Sequence, residues 1–134
     1  FLSLHRRGKT SRMPRFMAGS SYHKNPIVQA FLKNNERCED LVPGKVRETS
    51  VNEPLVNWRS IDGDVALQAI RESRGSAHHV SDRRMMTLSK LLRDKEGLHV
   101  LPASTAGLAS LLAWHAQAPL PGDRYVAILT GRKQ

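Results

Sequence analysis

Apolar positions along this chain fall into short blocks whose spacing switches between helical and extended periods. Phe1, Leu2 and Leu4 read as one face of a helix that finishes near Gly8, since glycine readily takes the left-handed angles that end helices. Residues 14–20 then predict a short buried strand built around Phe16, Met17 and Ala18. Asn25-Pro26 predicts a helix start, because asparagine caps free N–H groups and proline at the first helical position loses no hydrogen bond. Ile27, Val28, Phe31 and Leu32 follow at helical spacing, and Asn34-Asn35 stops the element.

Residues 36–57 break the pattern. Pro43-Gly44, Pro54 and five acids make them an irregular excursion with one strand expected near residues 46–51. Periodicity resumes at Ser60, Asp62 and Asp64, which open a helix through Val65, Leu67, Ala69 and Ile70 that closes at Gly75. Its acids lie in the first turn and Arg71 and Arg74 in the last, as the helix dipole favours. Residues 76–80 predict a strand. Ser81-Asp82 predicts a helix with Met85, Leu88, Leu91 and Leu92 inward and Gly97 past its end. Residues 98–101 predict another short strand, and Pro102 a helix to about residue 116, rich in small side chains at its start. Pro119, Pro121 and Gly122 turn the chain into YVAIL, residues 125–129, a continuous apolar run that suits a strand covered on both faces.

Helix and strand therefore alternate. That order predicts an α/β fold: a three-layer, open, mostly parallel sheet flanked by helices. The length of 134 residues suits a single domain. A chain that starts at Phe1, inside a helix, is expected to be a piece of a longer protein. One cysteine, Cys38, allows neither an internal disulfide nor a cysteine-based zinc site. The apolar runs are too short for a membrane span, so a cytoplasmic domain is expected.

Charge changes the picture only locally. Lysine and arginine number 21 against 12 acids, for a net charge of +9. The first 24 residues hold Arg6, Arg7, Lys9, Arg12, Arg15 and Lys24 and no acid, so the excess is an N-terminal feature. Such a patch fits a nucleic acid or an acidic partner, which makes a non-catalytic basic module the alternative reading.

Ligands of open parallel sheets bind where strands end and the following helices begin. In this sequence those places are Ser20-Ser21, residues 103–107 with Ser104 and Thr105, and Thr130-Gly131. Each also has a structural reading: Ser104 and Thr105 can pad a close helix contact, Thr130 can bond backbone, and Gly131 can relieve a turn. His78 and His79 are adjacent, hence on opposite faces of a strand, and no histidine pair has chelating helical spacing. No metal site is expected. Cys38 stands beside Glu39 and Asp40, which disfavours a thiolate. The nine glycines are never adjacent and never spaced G-x-G, so the chain has no glycine-rich phosphate cup.

EGLHVLPASTAGLASL (96–111) followed by DRYVAILTG (123–131) resembles the C-terminal part of the threonine synthase family, whose fold is tryptophan-synthase β-like. PLVNWRSIDGDVALQAIRESRG (54–75), VSD (80–82), KNPIVQAF (24–31) and LHRRGKTSRMPRFMA (4–18) are similar to its preceding segments, in order. The resemblance implies a partial large domain of a fold-type II, pyridoxal 5′-phosphate-dependent lyase or β-replacement enzyme acting on an O-phosphorylated amino acid. It also implies a homo-oligomeric parent with a small-molecule substrate, neither membrane nor nucleic acid being a partner. The Schiff-base lysine and phosphate loop are expected upstream of Phe1, so the chain itself holds no catalytic residue and is expected to be inactive alone. Thr130 matches the family's contact to the pyridine nitrogen, with Gly131 beside it, and Ser104 matches the segment packed behind the cofactor. Leu101 stands where the family usually has an acid, and Arg132-Lys133-Gln134 follows LTG in place of the usual continuation, which leaves the amino-acid substrate open.

Overall fold

The computed structural model describes residues 1–122 and 124–131. The helices are α1 (Leu2–Arg6), α2 (Pro26–Leu32), α3 (Gly63–Glu72), α4 (Asp82–Glu96) and α5 (Ala106–Gln117), and the strands are β1 (Met17–Ser21) and β2 (Ser76–Val80). The fold is α/β, with β1 and β2 paired in parallel from Met17 opposite Ser76 to Ser21 opposite Val80.

Local chemistry sets most boundaries. Asn25 Oδ1 accepts hydrogen bonds from the Ile27 and Val28 amides at 3.1 and 3.2 Å, and Pro26 begins α2 as its missing N–H permits. Ser81 Oγ caps α4 by accepting from Arg84 N at 3.3 Å. Gly97, at φ +66°, ends α4 with the paired backbone bonds of a left-handed cap: its own N–H to Arg93 O and the Leu98 N–H to Leu92 O. Helix α3 starts without a side-chain cap: Asp62 makes none, and Asp64 accepts from the Cys38 amide at 2.7 Å.

The core joins sheet to helices. Val80, Met85, Leu88, Ala106 and Ala109 form one buried cluster, with Val51 and Leu55 packed on it. Helix α5 lies directly on β1, and a Cβ on Gly19 would run into the Ala106 carbonyl. The small residues of α5 make that approach possible. Ser110, fully buried, donates to Ala18 O at 3.0 Å across the same contact. On the other side of the chain α2 packs against α3 and both strands.

Several expectations are corrected. Residues 46–51 form no strand; the excursion holds two single 3₁₀ turns, Pro43–Lys45 and Glu53–Leu55. Residues 98–101 make only an isolated bridge at Val100. Residues 125–129 form no strand and are not covered: Val126 is 88% exposed and Ile128 78%. An apolar run becomes a strand only beside a partner edge, and the one sheet among the described residues has two strands. The helix expected from Pro102 begins as a 3₁₀ turn, Pro102–Thr105, before α5. On α4 and α3, Leu91 and Val65 face solvent rather than the core. Among the described residues no helix is long and apolar enough to cross a membrane.

Candidate functional site

Two stretches singled out in the sequence, 103–107 and 130–131, meet through Ser104. Leu101 is extended, Pro102 starts the 3₁₀ turn, and Ser104 N closes it on Leu101 O at 3.0 Å. Residue 131 is fastened to that turn at three points. Gly131 N donates to Ser104 Oγ at 2.7 Å, Ser104 Oγ donates to Gly131 O at 3.3 Å, and Leu101 N donates to the same carbonyl at 3.0 Å. A Cβ on residue 131 would lie 2.7 Å from Ser104 Oγ and 2.8 Å from Leu101 Cδ1, so a larger residue would displace these two side chains. Thr130, one residue earlier, is exposed, and its hydroxyl makes no hydrogen bond to another described residue.

Ser104 and Thr105 take different parts. Thr105 is fully buried and donates to Pro102 O at 2.7 Å, with Met85 O at 3.2 Å, which ties the turn to α4. That is a structural role. Ser104 is half-buried and grips the 130–131 segment.

The middle of strand β1, at Gly19, meets the start of α5 at Ala106. Ser20 Oγ donates to Leu55 O at 3.3 Å, while Ser21 Oγ, in a residue 1% exposed, has no hydrogen-bond partner among the described residues. A cleft of about 280 Å³ opens here, lined among others by Gly19, Ser20, Asn25, Leu55 and Asn57.

Sequence reasoning missed what holds Leu55 in place. Asn52 is buried at 2% exposure; its Oδ1 accepts from Thr49 N at 3.0 Å and its Nδ2 donates to Asp82 Oδ1 at 2.9 Å. Thr49 Oγ1 donates to Asp82 Oδ2 at 2.7 Å. The Asp82 carboxylate therefore clasps the excursion to the start of α4. Burial alone opposes its ionisation, but the Thr49 and Asn52 hydrogen bonds and the nearby Lys24 charge outweigh it, and the pKa lies below the usual carboxylate value. The T-x-x-N spacing, in which Thr49 Oγ1 accepts from Asn52 N and Asn52 Oδ1 from Thr49 N as in a capping box, was the one available signal.

Tyr22, His23 and His79 gather just past β1, with the Tyr22 and His79 rings stacked at 5.2 Å and the His23 and His79 rings 4.9 Å apart. His23 is held at φ +53°, an uncommon conformation for a non-glycine residue. The His79 pKa is depressed, first by burial and then by the His23 charge, against an opposing contact with the Ser21 backbone. His78, depressed by burial, points away to Ser76 Oγ at 2.9 Å. The Cys38 thiol is raised by burial and by Asp64, with Arg71 opposing, so it is no ready nucleophile; the acid responsible is Asp64 rather than its sequence neighbours. Among the described residues no group of three or more histidines, cysteines or acids is placed to hold a metal ion.

No family model matches the chain. It is 33% identical over 125 residues to a threonine synthase of Methanocaldococcus jannaschii, 31% over 125 residues to one of Synechocystis sp., and 31% over 123 residues to one of Methanosarcina acetivorans. These matches take in 92% of the chain but only 29–30% of each relative, so the chain spans under a third of their length.

Proposed function

Since the chain is threonine synthase-like along 92% of its length, we propose that it supplies one wall of the cofactor site of a larger pyridoxal 5′-phosphate-dependent lyase. The observation that carries this reading is the Ser104–Gly131 clip, which fixes the backbone beside Thr130 while leaving the Thr130 hydroxyl exposed.

These residues fit the ring end of the cofactor. A hydroxyl next to a backbone tied at three points meets a pyridine nitrogen without first giving up another bond. The phosphate end finds no match, because no glycine-rich loop occurs in the sequence. When bound, the cofactor supplies an electron sink for elimination or replacement at the β-carbon of an amino acid. The part of Thr130 is to contact the ring nitrogen with a neutral group, which keeps that nitrogen largely unprotonated. Ser104 and Gly131 position Thr130, and Ser20, Ser21 and the Asn52–Asp82 clasp close the sheet end beside them.

On this reading the 134 residues are one partial domain, the substrate is an O-phosphorylated amino acid, and the assembled enzyme is a soluble homo-oligomer. The lysine and the phosphate loop come from other sequence, so the isolated chain is inactive. Equilibrium dialysis of the purified chain with pyridoxal 5′-phosphate is expected to show no one-to-one binding, and no phosphate release from O-phosphorylated amino acids. Substituted for the matching stretch of the Methanocaldococcus jannaschii relative, the chain is expected to bind the cofactor and release phosphate. Stoichiometric cofactor capture by the chain alone would overturn the reading.

A non-catalytic reading rests on a different observation. Arg6, Arg7, Arg12 and Arg15 are all exposed, and none makes an ion pair with a described residue. Salt-dependent binding of DNA or RNA, abolished when these four are replaced, would favour that alternative.

A further inference from the structure

Helix α3 carries an uncovered apolar patch at its start. Ile61 precedes the N-cap Asp62, a position whose side chain often folds back onto the first turns, yet it is 95% exposed. Val65, in the first turn, is 68% exposed. Three contacts bring Val42 and Trp58, both exposed, to the same place. Leu41 N donates to Trp58 O at 2.7 Å, Cys38 N donates to Asp64 Oδ1 at 2.7 Å, and Arg59 Nε lies 3.8 Å from Asp40 Oδ2. Residues 38–42 and 58–65 carry four acids and a single cation, Arg59. The patch is apolar with an acidic rim. Contiguous exposed apolar surface marks association sites, and tryptophan is enriched among the residues that carry binding energy.

The opposite end of α3 holds the complement. Phe16 N donates to Ser73 Oγ at 3.0 Å and Ser76 N donates to Phe16 O at 3.1 Å, which fixes Phe16 beside the α3 C-terminus. The Phe1 ring lies 6.2 Å from the Phe16 ring, so α1 sits at that end too. Phe1, Leu2 and Leu4 are exposed, and residues 1–15 hold five cations and no acid. Ten residues of α3, about 15 Å of helix, keep the two surfaces of one molecule apart.

We infer that the patch at the start of α3 docks α1 and the basic stretch after it from a second copy of this chain. The apolar side chains of α1 lie on Trp58, Ile61 and Val65, and the cations of residues 6–15 meet the acidic rim. Two basic arms face to face, or two acidic rims, would bring like charges together, which favours the unlike pairing. Each molecule offers one arm and one patch. Association therefore continues from copy to copy unless the copies close into a ring, the smallest being two that exchange arms.

The inference concerns the chain by itself and needs no cofactor, so its failure and that of the proposed lyase reading are separate results. The experiment is sedimentation velocity on the nuclease-treated 134-residue chain over a range of concentrations. The mean mass is expected to rise above the monomer with concentration, and to fall back as salt rises from about 50 to about 500 mM. Arg6→Glu with Arg7→Glu blocks the arm, and Asp40→Lys with Ile61→Lys blocks the patch. Each double variant is expected to weaken self-association about tenfold or more. Mixed, the two are expected to form a one-to-one dimer and stop there, because each retains one working surface. A parental far-UV circular dichroism spectrum shows that each variant is folded. The inference is overturned by a monomer at every concentration after nuclease treatment, by association that salt leaves unchanged, by either folded double variant associating like the parent, or by a mixture that stays monomeric.

Discussion

Ser104 and Gly131, 27 residues apart, exchange two hydrogen bonds through a single hydroxyl, which accepts from Gly131 N at 2.7 Å and donates to Gly131 O at 3.3 Å. This pairing decides where Thr130 stands. Replacing Gly131 by alanine places a methyl against Ser104 Oγ and Leu101 Cδ1, both under 3 Å. Ser104 Oγ must then turn aside, which breaks its bond to the residue-131 amide. Gly131→Ala is expected to speed hydrogen exchange at the residue-131 amide, measured by NMR, and to leave the core amides of α4 and α5 protected. Ser104→Ala removes the same anchor without the clash and is expected to give a milder loss of protection.

The contact between Gly19 and Ala106 makes a stability prediction. Gly19→Ala pushes β1 away from the first turn of α5, in a core with no room to absorb it. Overpacking of this kind costs about 1–3 kcal/mol. Urea unfolding followed by far-UV circular dichroism is expected to show a lower midpoint and an unfolding free energy reduced by that amount. Alanine at Gly107, inside α5 with no atom within 4 Å of the added methyl, is expected to raise the midpoint slightly, as the better helix former.

The Asp82 clasp predicts acid sensitivity of a defined sign. Its folded pKa lies below the ordinary aspartate value of 3.8, so the unfolded chain binds the proton more readily. The stabilisation is complete above 3.8 and is lost as pH falls through the lower folded value. Asp82→Asn is expected to flatten the stability profile in that acid range, measured as urea midpoint against pH. The loss is expected to show first at Leu55 and Ser20, the residues the clasp supports.

His79 has the same sign in a different window. Its folded pKa is below 6.5, chiefly through burial, so protonation favours the unfolded chain. Stability is full above 6.5 and declines as pH drops toward the folded value. His79→Gln is expected to remove part of that decline. In an NMR titration the His79 ring protons are expected to shift at lower pH than those of a free histidine.

What the sequence shows most clearly is what lies within one helical turn. Asn25-Pro26, Ser81 and Gly97 act where their neighbours predict, because a cap is a bond to an amide two or three residues away. The 125–129 run reads as a strand from its composition, yet Val126 and Ile128 stay exposed because a strand is made by its neighbour and no paired edge among the described residues reaches it. Residues 98–101 fare similarly: Leu101 N reaches Gly131 O, and among the described residues no strand forms there. At the site, the strand-end rule picked Ser104 and Gly131 separately, while the bond joining them depends on how the chain returns. Asn52 and Asp82 were not legible as a pair, since one sits in the irregular stretch and the other looks like an ordinary first-turn acid.

The role given to Thr130 is tested most directly in the chimera carrying this chain in the Methanocaldococcus jannaschii relative. Phosphate release and cofactor occupancy are measured for the parent chimera, Thr130→Ser and Thr130→Val. With Ser104 and Gly131 untouched, serine is expected to retain most of the turnover, and valine to lose about tenfold to hundredfold at near-full occupancy. A valine chimera that turns over like its parent would contradict the assignment.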